Sequence, residues 1–227
     1  MKKKTDLEEI KQIAKDMIYI GVDKVDEFGI TPNPFTASRY VLIDNELVSI
    51  GDLEILNDWA NSVESRIDDC QTLERLVGLL RKPYYMVFFK LIKPYLSKRD
   101  FSILLSMFWT MSENPNMDHN VNLGEVISWF KYANPRFLMN NREYKIYNDT
   151  GKITLYRGVS DKSQKYGLSW TDDYNVAKWF AERFQNPSCI LKVEASHDDI
   201  LAYFDCRGEK EYVVNIRKVK NKIEIVP

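Results

Sequence analysis

The sequence is poor in residues that many enzymes and most small secreted domains depend on. Among its 227 residues are two histidines, His119 and His197, and three cysteines, Cys70, Cys189 and Cys206. The cysteines are widely separated and odd in number, which indicates a reducing compartment rather than a disulfide framework. No pair has the spacing of zinc ligands, and so few histidines disfavour Ser-His-Asp and Cys-His catalysis. We therefore expect no metal.

The sequence also lacks a charge excess and a long apolar run. The formal net charge is −1, so the composition does not predict a nucleic-acid partner. The most apolar segment, residues 84–96, is interrupted by Lys90, Lys93 and Pro94 and is too short to span a bilayer. Residues 5–15 are rich in charge and lack the apolar run of a signal peptide, so we expect none. We expect a cytoplasmic protein that binds neither a membrane nor nucleic acid.

Hydrophobic periodicity divides the chain into two regions. Residues 1–150 are predicted to be mainly helical, and residues 151–227 to alternate short strands with one helix, which together indicate an α+β fold with a mostly antiparallel sheet. The predicted helices of the first region cover residues 6–20, 52–66, 68–81, 84–96, 101–109 and 122–132, and residues 39–49 form a hairpin or an irregular segment. In the second region we predict strands over 152–157, 166–170, 189–195, 200–204, 212–217 and 222–226, and a helix over 173–184 that Asn186-Pro187 ends.

Polar residues at the edges of three predicted strands form a candidate site. Arg157 ends one apolar run, Ser169 and Thr171 lie on a second strand, and Glu209 and Glu211 precede a β-branched run. Taken singly, these residues have an ordinary explanation: Arg157 as a surface arginine, and Glu209 and Glu211 as the solvated face of an edge strand. Residues two apart on a strand point to one side, and two carboxylates there repel each other unless a cation or a function compensates. Together the residues therefore favour a function.

The ordered motifs resemble the Arg-Ser-Glu class of ADP-ribosyltransferases, including its small phage-encoded and bacterial members. The resemblance covers about a third of the chain, and Trp170 stands where the family usually has a small or polar residue. It implies an ADP-ribosyltransferase-type β-sandwich over residues 151–227, an NAD-binding catalytic core on which the helices of residues 1–150 pack as one unit. The motifs that carry it are Tyr156-Arg157-Gly158, Ser169-Trp170-Thr171 with the helix at 176–181, and Glu209-Lys210-Glu211.

The resemblance also implies an activity and a site. The protein is expected to transfer ADP-ribose from NAD to an arginine of a target protein, releasing nicotinamide, in the cytoplasm (of the host, if it is phage-encoded). The implied catalytic residues are Glu211, Glu209, Arg157 and Ser169. Those implied to bind NAD are Arg157, Gly158, Ser169, Thr171 and Phe180, with Arg157 on a phosphate and the Gly158 backbone on the nicotinamide amide. Those implied to recognise the acceptor are Tyr203, Phe204 and Glu209.

The chemistry agrees with the scarcity of histidine. Cleavage of the nicotinamide–ribose bond passes through an oxocarbenium-like state, and nicotinamide leaves as a neutral base, so a carboxylate is needed but a general acid is not. Three other functions remain open. The first is an NAD glycohydrolase that uses the same site with water as the acceptor. The second is a non-enzymatic interaction protein that keeps the fold. The third is a structural component of a larger particle.

Overall fold

The computed structural model describes residues 4–43, 45–113, 115, 118–160, 165–183 and 188–226. The chain divides into two compact units, Met1–Ser97 and Lys98–Pro227. The boundary expected near residue 150 therefore falls inside the second unit, which joins the later helices and the sheet. Helices together with an antiparallel sheet confirm the predicted α+β class.

The first unit is mainly helical, and side-chain caps explain where several of its helices begin. Asp6, Asp52 and Thr72 each accept a hydrogen bond from a backbone N–H of the first helical turn. Because Thr72 starts a new helix, the helix predicted over 68–81 is confined to a short segment. Of the two alternatives predicted for residues 39–49, the structure forms the hairpin, and Asp44, predicted as part of its turn, lies outside the described residues. The elements are α1 (Leu7–Asp16), β1 (Tyr40–Ile43), β2 (Glu46–Ser49), α2 (Leu53–Asp68), α3 (Leu73–Val77) and α4 (Tyr85–Ile92).

The second unit begins with four helices, of which two have complete capping boxes. Asn122 with Glu125, and Asn140 with Glu143, exchange side-chain and backbone hydrogen bonds at the helix starts. The helices are α5 (Lys98–Met111), α6 (Leu123–Tyr132), α7 (Pro135–Leu138) and α8 (Asn141–Asp149). Among the described residues, no helix combines the length and the apolar character needed to cross a membrane.

A six-stranded antiparallel sheet follows, and its strand order is β6 (Ile200–Phe204), β7 (Glu211–Val214), β4 (Ser169–Thr171), β3 (Ile153–Val159), β5 (Cys189–Ala195) and β8 (Glu224–Val226). The two helices of this region are α9 (Tyr174–Glu182), between β4 and β5, and α10 (Ile216–Val219), between β7 and β8. The predicted strand over 212–217 ends early, because the chain turns at Asn215 into the short helix α10. The predicted end of the longer helix, from Phe184 to Asn186-Pro187, lies outside the described residues.

The sheet register brings the three sequence motifs together. β4 lies between β3 and β7, with Tyr156 opposite Thr171 and Thr171 opposite Glu211. Directly opposed residues of an antiparallel pair share a face, and so do residues two apart along a strand. Ser169, Thr171 and Glu211 therefore lie on one face of the sheet.

The contact between α9 and β3 depends on a glycine. A Cβ atom at Gly158 would lie 1.8 Å from the carbonyl oxygen of Ala177 and 2.5 Å from the backbone nitrogen of Ala181. Ala177 and Ala181 are buried, and Tyr156 and Ile190 pack with them. Only glycine at position 158 lets the helix backbone approach the strand this closely. This contact holds α9 against β3.

Candidate active site

The centre of the candidate site is the carboxylate of Glu211, the first residue of β7. The Trp109 indole nitrogen Nε1 of α5 donates a hydrogen bond to Oε1 of Glu211 at 2.9 Å. The Ser169 side chain also hydrogen-bonds to the Glu211 carboxylate. Two donors from different elements thus hold one partly buried acid.

Several groups shift the protonation of Glu211 in opposite directions. Burial raises its pKa above the ordinary value of 4.5, while the hydrogen bonds from Ser169 and Trp109 lower it. The charge of Glu209 raises the pKa further, and that of Arg207 lowers it. The net effect is a raised pKa, so the ionised carboxylate is less well stabilised here than it is in water. A cation that develops beside it would relieve that cost, which makes Glu211 a functional candidate.

Arg157 is held near Glu211 by the strand that carries Ser169. Its Nη1 donates to the backbone carbonyl of Ser169 at 2.7 Å, and its guanidinium lies so close to Gly167 that a Cβ there would be 2.2 Å from Nη2. Burial lowers the pKa of Arg157 to about 10, against the opposing charge of Glu211. Arg157 is therefore still a cation at neutral pH. Ser169 contacts both ions, Arg157 through its carbonyl and Glu211 through its side chain.

Thr171 has a bridging role that differs from the expected contact with NAD. Its buried hydroxyl donates to the carbonyl of Glu209 at 2.9 Å and accepts from the backbone N–H of Asp173 at 3.1 Å. The hydroxyl thus ties the end of β4 to the turn before β7 and to the start of α9. Its hydroxyl proton is therefore used within the protein, and its contact with NAD stays a prediction.

Trp170, the departure from the family pattern, belongs to the core. It is 2 % exposed, and its indole N–H donates to the carbonyl of Gly167 at 3.0 Å. Because neighbouring residues of a strand alternate between faces, its ring lies on the side of β4 opposite to Ser169 and Thr171. The bulky residue is accommodated on the face that does not carry Glu211.

Glu209 corrects one step of the sequence argument. It precedes β7 and is not part of a strand, and between it and Glu211 the residue Lys210 adopts a positive φ of 47°. The alternation that would place both carboxylates on one face of a strand therefore does not apply. The two acids are nevertheless close enough that the charge of Glu209 raises the pKa of Glu211.

Tyr203 and Phe204 are wrong as contacts to an acceptor protein in this structure, because they are only 3 % and 2 % exposed. The Tyr203 ring packs against Tyr212 at a centroid distance of 4.7 Å, and the Phe204 ring faces Phe130 at 6.4 Å. Burial raises the pKa of Tyr203 to about 12. The exposed residues here belong to the following turn and include Arg207.

The turn between β6 and β7, residues 205–210, is fixed at both ends. Both carboxylate oxygens of the buried Glu143 accept backbone N–H groups, from Asp205 at 2.9 Å and from Asn140 at 3.0 Å. The side chain of Lys210 forms an ion pair with Asp173 at 3.5 Å. The turn that carries Glu209 is therefore anchored to α8 on one side and to the start of α9 on the other.

The two remaining predicted NAD contacts lie beside the same strands. Phe180 is half-buried on α9, with its ring 4.9 Å from that of Trp179. Gly158 faces the backbone of α9, so the structure gives a packing reason for glycine at this position. Neither residue contacts Glu211 in the interactions described above.

Trp109 and Glu143 are site residues that sequence reasoning missed, since both come from the helical region. The periodicity of α5 placed Trp109 on the apolar face and so predicted core packing. A buried tryptophan usually needs an acceptor for its N–H, and this was the available signal. The capping box was the corresponding signal at Glu143, although it did not reveal the second hydrogen bond to Asp205.

The first unit has a shallow cleft of about 560 Å³ that contains none of the motif residues. Arg81 contributes to its wall, but Nη1 of this arginine donates to the backbone carbonyls of Thr31, Asn33 and Thr36. These bonds indicate a structural role for the arginine. The convergence of polar groups around Glu211 makes the second unit the better candidate.

Within the described residues, no group of three or more His, Cys, Asp or Glu side chains could hold a metal ion. No protein-family model, curated protein or solved structure matches this chain. The case for a function therefore depends on the geometry of the site and on the order of its motifs.

Proposed function

We propose that this protein is a mono-ADP-ribosyltransferase that transfers ADP-ribose from NAD to an arginine side chain of a target protein. The observation that carries the proposal is the link through Ser169. Its backbone carbonyl accepts a hydrogen bond from Arg157, and its side chain hydrogen-bonds to Glu211. Ser169 therefore links the arginine motif to the glutamate motif. The proposal includes an ADP-ribosyltransferase-type arrangement for the sheet.

Glu211 supplies the negative charge for bond cleavage. As the nicotinamide–ribose bond breaks, the bonding electrons leave with nicotinamide, and positive charge develops on the ribose. A carboxylate fixed beside that charge stabilises the transition state more than the ground state. The raised pKa of Glu211 fits this role, because the poorly stabilised anion gains most when the cation forms.

Arg157 and Glu209 have complementary tasks on either side of Glu211. Arg157 remains protonated at neutral pH, since its pKa is about 10, and its planar guanidinium suits a phosphate of NAD. Glu209 binds the guanidinium of the acceptor and accepts the proton that this nitrogen loses as the new bond to ribose forms. The hydrogen bond from Thr171 to the Glu209 carbonyl positions the turn for this task.

The test is mass spectrometry of a cell lysate incubated with the purified protein and isotopically labelled NAD. We expect ADP-ribose on arginine side chains, and its absence with Glu211→Gln. Glu209→Gln is expected to abolish transfer to arginine while nicotinamide release continues.

Two other outcomes would overturn the proposal in different ways. Release of free ADP-ribose without modified protein would identify a glycohydrolase. Unconsumed NAD together with a bound but unmodified partner would identify an interaction protein.

A further inference from the structure

The hydrogen bond from Trp109 to Glu211 joins residues 102 positions apart in the chain. Trp109 is 1 % exposed, and its ring meets that of Phe130 edge to face at a centroid distance of 5.2 Å and an interplanar angle of 89°. Phe130 in turn faces Phe204 of β6. The indole is therefore held by packing from α6, which is itself packed on the sheet.

We propose that Trp109 is a positioning residue whose indole N–H fixes the orientation and the ionisation of the Glu211 carboxylate. This inference rests on the proposed function for its catalytic consequence only. It assigns a direct part in the candidate active site to the helices that precede the sheet, because α5 supplies one of the two donors to the acid.

The two donors to Glu211 differ in how firmly they hold it. A serine hydroxyl rotates about its C–O bond and can redirect its proton, so Ser169 alone leaves the carboxylate some freedom. The indole N–H is rigid with its ring, and the ring cannot turn without displacing Phe130. A fixed donor at 2.9 Å selects one position for Oε1 of Glu211. It also favours the ionised form, since an N–H bonds a carboxylate better than a carboxylic acid.

Other charged groups act on the same carboxylate and must be distinguished from Trp109. Glu209 and Arg207 of the turn before β7 and Arg157 of β3 exert their charges on Glu211, and Cys206 of the same turn is within electrostatic reach. None of these is altered by a change confined to the indole nitrogen. The experiment therefore compares side chains at position 109 that differ in that atom.

The first measurement needs no enzymatic activity. In ¹⁵N-labelled protein, we expect the indole N–H resonance of Trp109, assigned by its loss in Trp109→Phe, to shift with pH as Glu211 titrates. The shift should be absent in Glu211→Gln. A Trp109 resonance that is independent of pH, or one that titrates equally in Glu211→Gln, would overturn the proposal whether or not the protein cleaves NAD.

The second measurement connects the hydrogen bond to turnover. For Trp109→Phe we expect kcat to fall about 10-fold, which corresponds to a rise of roughly 1.4 kcal/mol in the activation free energy. The KM for NAD should change less than about twofold. The acid limb of the pH profile should move to higher pH, since the raised pKa of Glu211 loses an opposing hydrogen bond. Trp59→Phe, a buried tryptophan of the first unit, serves as the control and should retain the wild-type profile.

A tryptophan analogue with sulfur in place of the indole N–H, incorporated at position 109, keeps the ring volume if phenylalanine leaves a damaging cavity. It should reproduce the kinetics of Trp109→Phe. Wild-type kcat and an unshifted profile with this analogue would contradict the positioning role. If wild-type protein does not cleave NAD, the proposed function fails. The positioning role is then tested by the pKa of Glu211, measured from its ¹³C carboxyl resonance, which should be higher with the analogue than without it; an unchanged pKa would contradict the role.

Discussion

Replacement of Gly158 by alanine tests the contact between α9 and β3. The new methyl group would lie 1.8 Å from the Ala177 carbonyl oxygen and 2.5 Å from the Ala181 nitrogen. Both are backbone atoms, so neither can swing away as the end of a flexible side chain would. Real Cβ atoms essentially never approach another heavy atom closer than 3.0 Å, so the helix as a whole must retreat by at least about 1.2 Å.

The expected loss of stability follows from that displacement. Overpacking in a core typically costs about 1–3 kcal/mol, and a clash with helix backbone belongs at the upper end of that range. We therefore expect Gly158→Ala to lower the free energy of unfolding of the second unit by about 3 kcal/mol. Gly151→Ala is the matched control, because a methyl group there meets no atom within 4 Å. It should be neutral, or stabilising by up to about 1 kcal/mol.

Urea denaturation followed by far-UV circular dichroism, without NAD, measures both changes. The family resemblance would explain Gly158 by a backbone contact with nicotinamide, which predicts weaker NAD binding at unchanged stability. The packing explanation predicts a lower midpoint in the absence of any ligand. The packing explanation would be wrong if Gly158→Ala were as stable as wild type, or if Gly151→Ala lost as much stability.

The remaining predictions concern the charges of the site and its anchored turn. The raised pKa of Glu211 means that the native state binds the Glu211 proton more tightly than the unfolded chain does, so stability falls as pH rises above about 4.5. Glu211→Gln should therefore raise the melting temperature at pH 7. The gain should vanish at pH 4, where the carboxyl is mostly protonated in both states. Gly167→Ala should displace the guanidinium of Arg157 and raise KM for NAD about 10-fold with a smaller change in kcat, measured by steady-state kinetics. Glu143→Gln leaves one of two backbone N–H groups without its carboxylate oxygen and should cost about 1–3 kcal/mol in urea denaturation, whereas an unchanged midpoint would refute the anchoring of Asp205.

Local sequence patterns predicted most of the strands of the second unit. The apolar runs at β3, β5 and β6 specify extended segments, because their β-branched and aromatic residues suit a pleated surface. The end of β7 was not predicted. Asn215 and the apolar residues Ile216 and Val219 are compatible with a strand by composition, but the chain forms a helical turn there with both apolar residues buried.

Burial on both faces explains the error at Tyr203 and Phe204. The family resemblance implied that these two residues, at the end of the strand predicted over 200–204, recognise the acceptor. In the structure α6 and α8 both pack on β6, so residues of both faces are covered. A sequence pattern shows that a segment is apolar, but it does not show which distant helices cover it.

The candidate site was predictable only as far as the order of its motifs along the chain, because β4 and β7 are neighbours in the sheet but are separated in sequence by α9, β5 and β6. The proximity of Ser169 to Glu211 follows from the antiparallel pairing of β4 and β7. The positive φ of Lys210 and the hydrogen bond from Trp109 follow from tertiary packing and leave no mark on the hydrophobic period. Such long-range contacts are set by the whole fold, which is why no residue of the helical region was predicted at the site.

Nicotinamide release from NAD by purified wild-type protein and by Glu211→Gln tests the proposed role of Glu211 without any knowledge of the acceptor. We expect release in proportion to the concentration of wild-type protein, and a rate at least about 100-fold lower for the variant, because a fixed charge that stabilises the transition state is removed. The variant should be no less stable than wild type at pH 7, so that unfolding does not explain the loss. Equal release by both proteins, or none by wild type, would contradict the central role of Glu211.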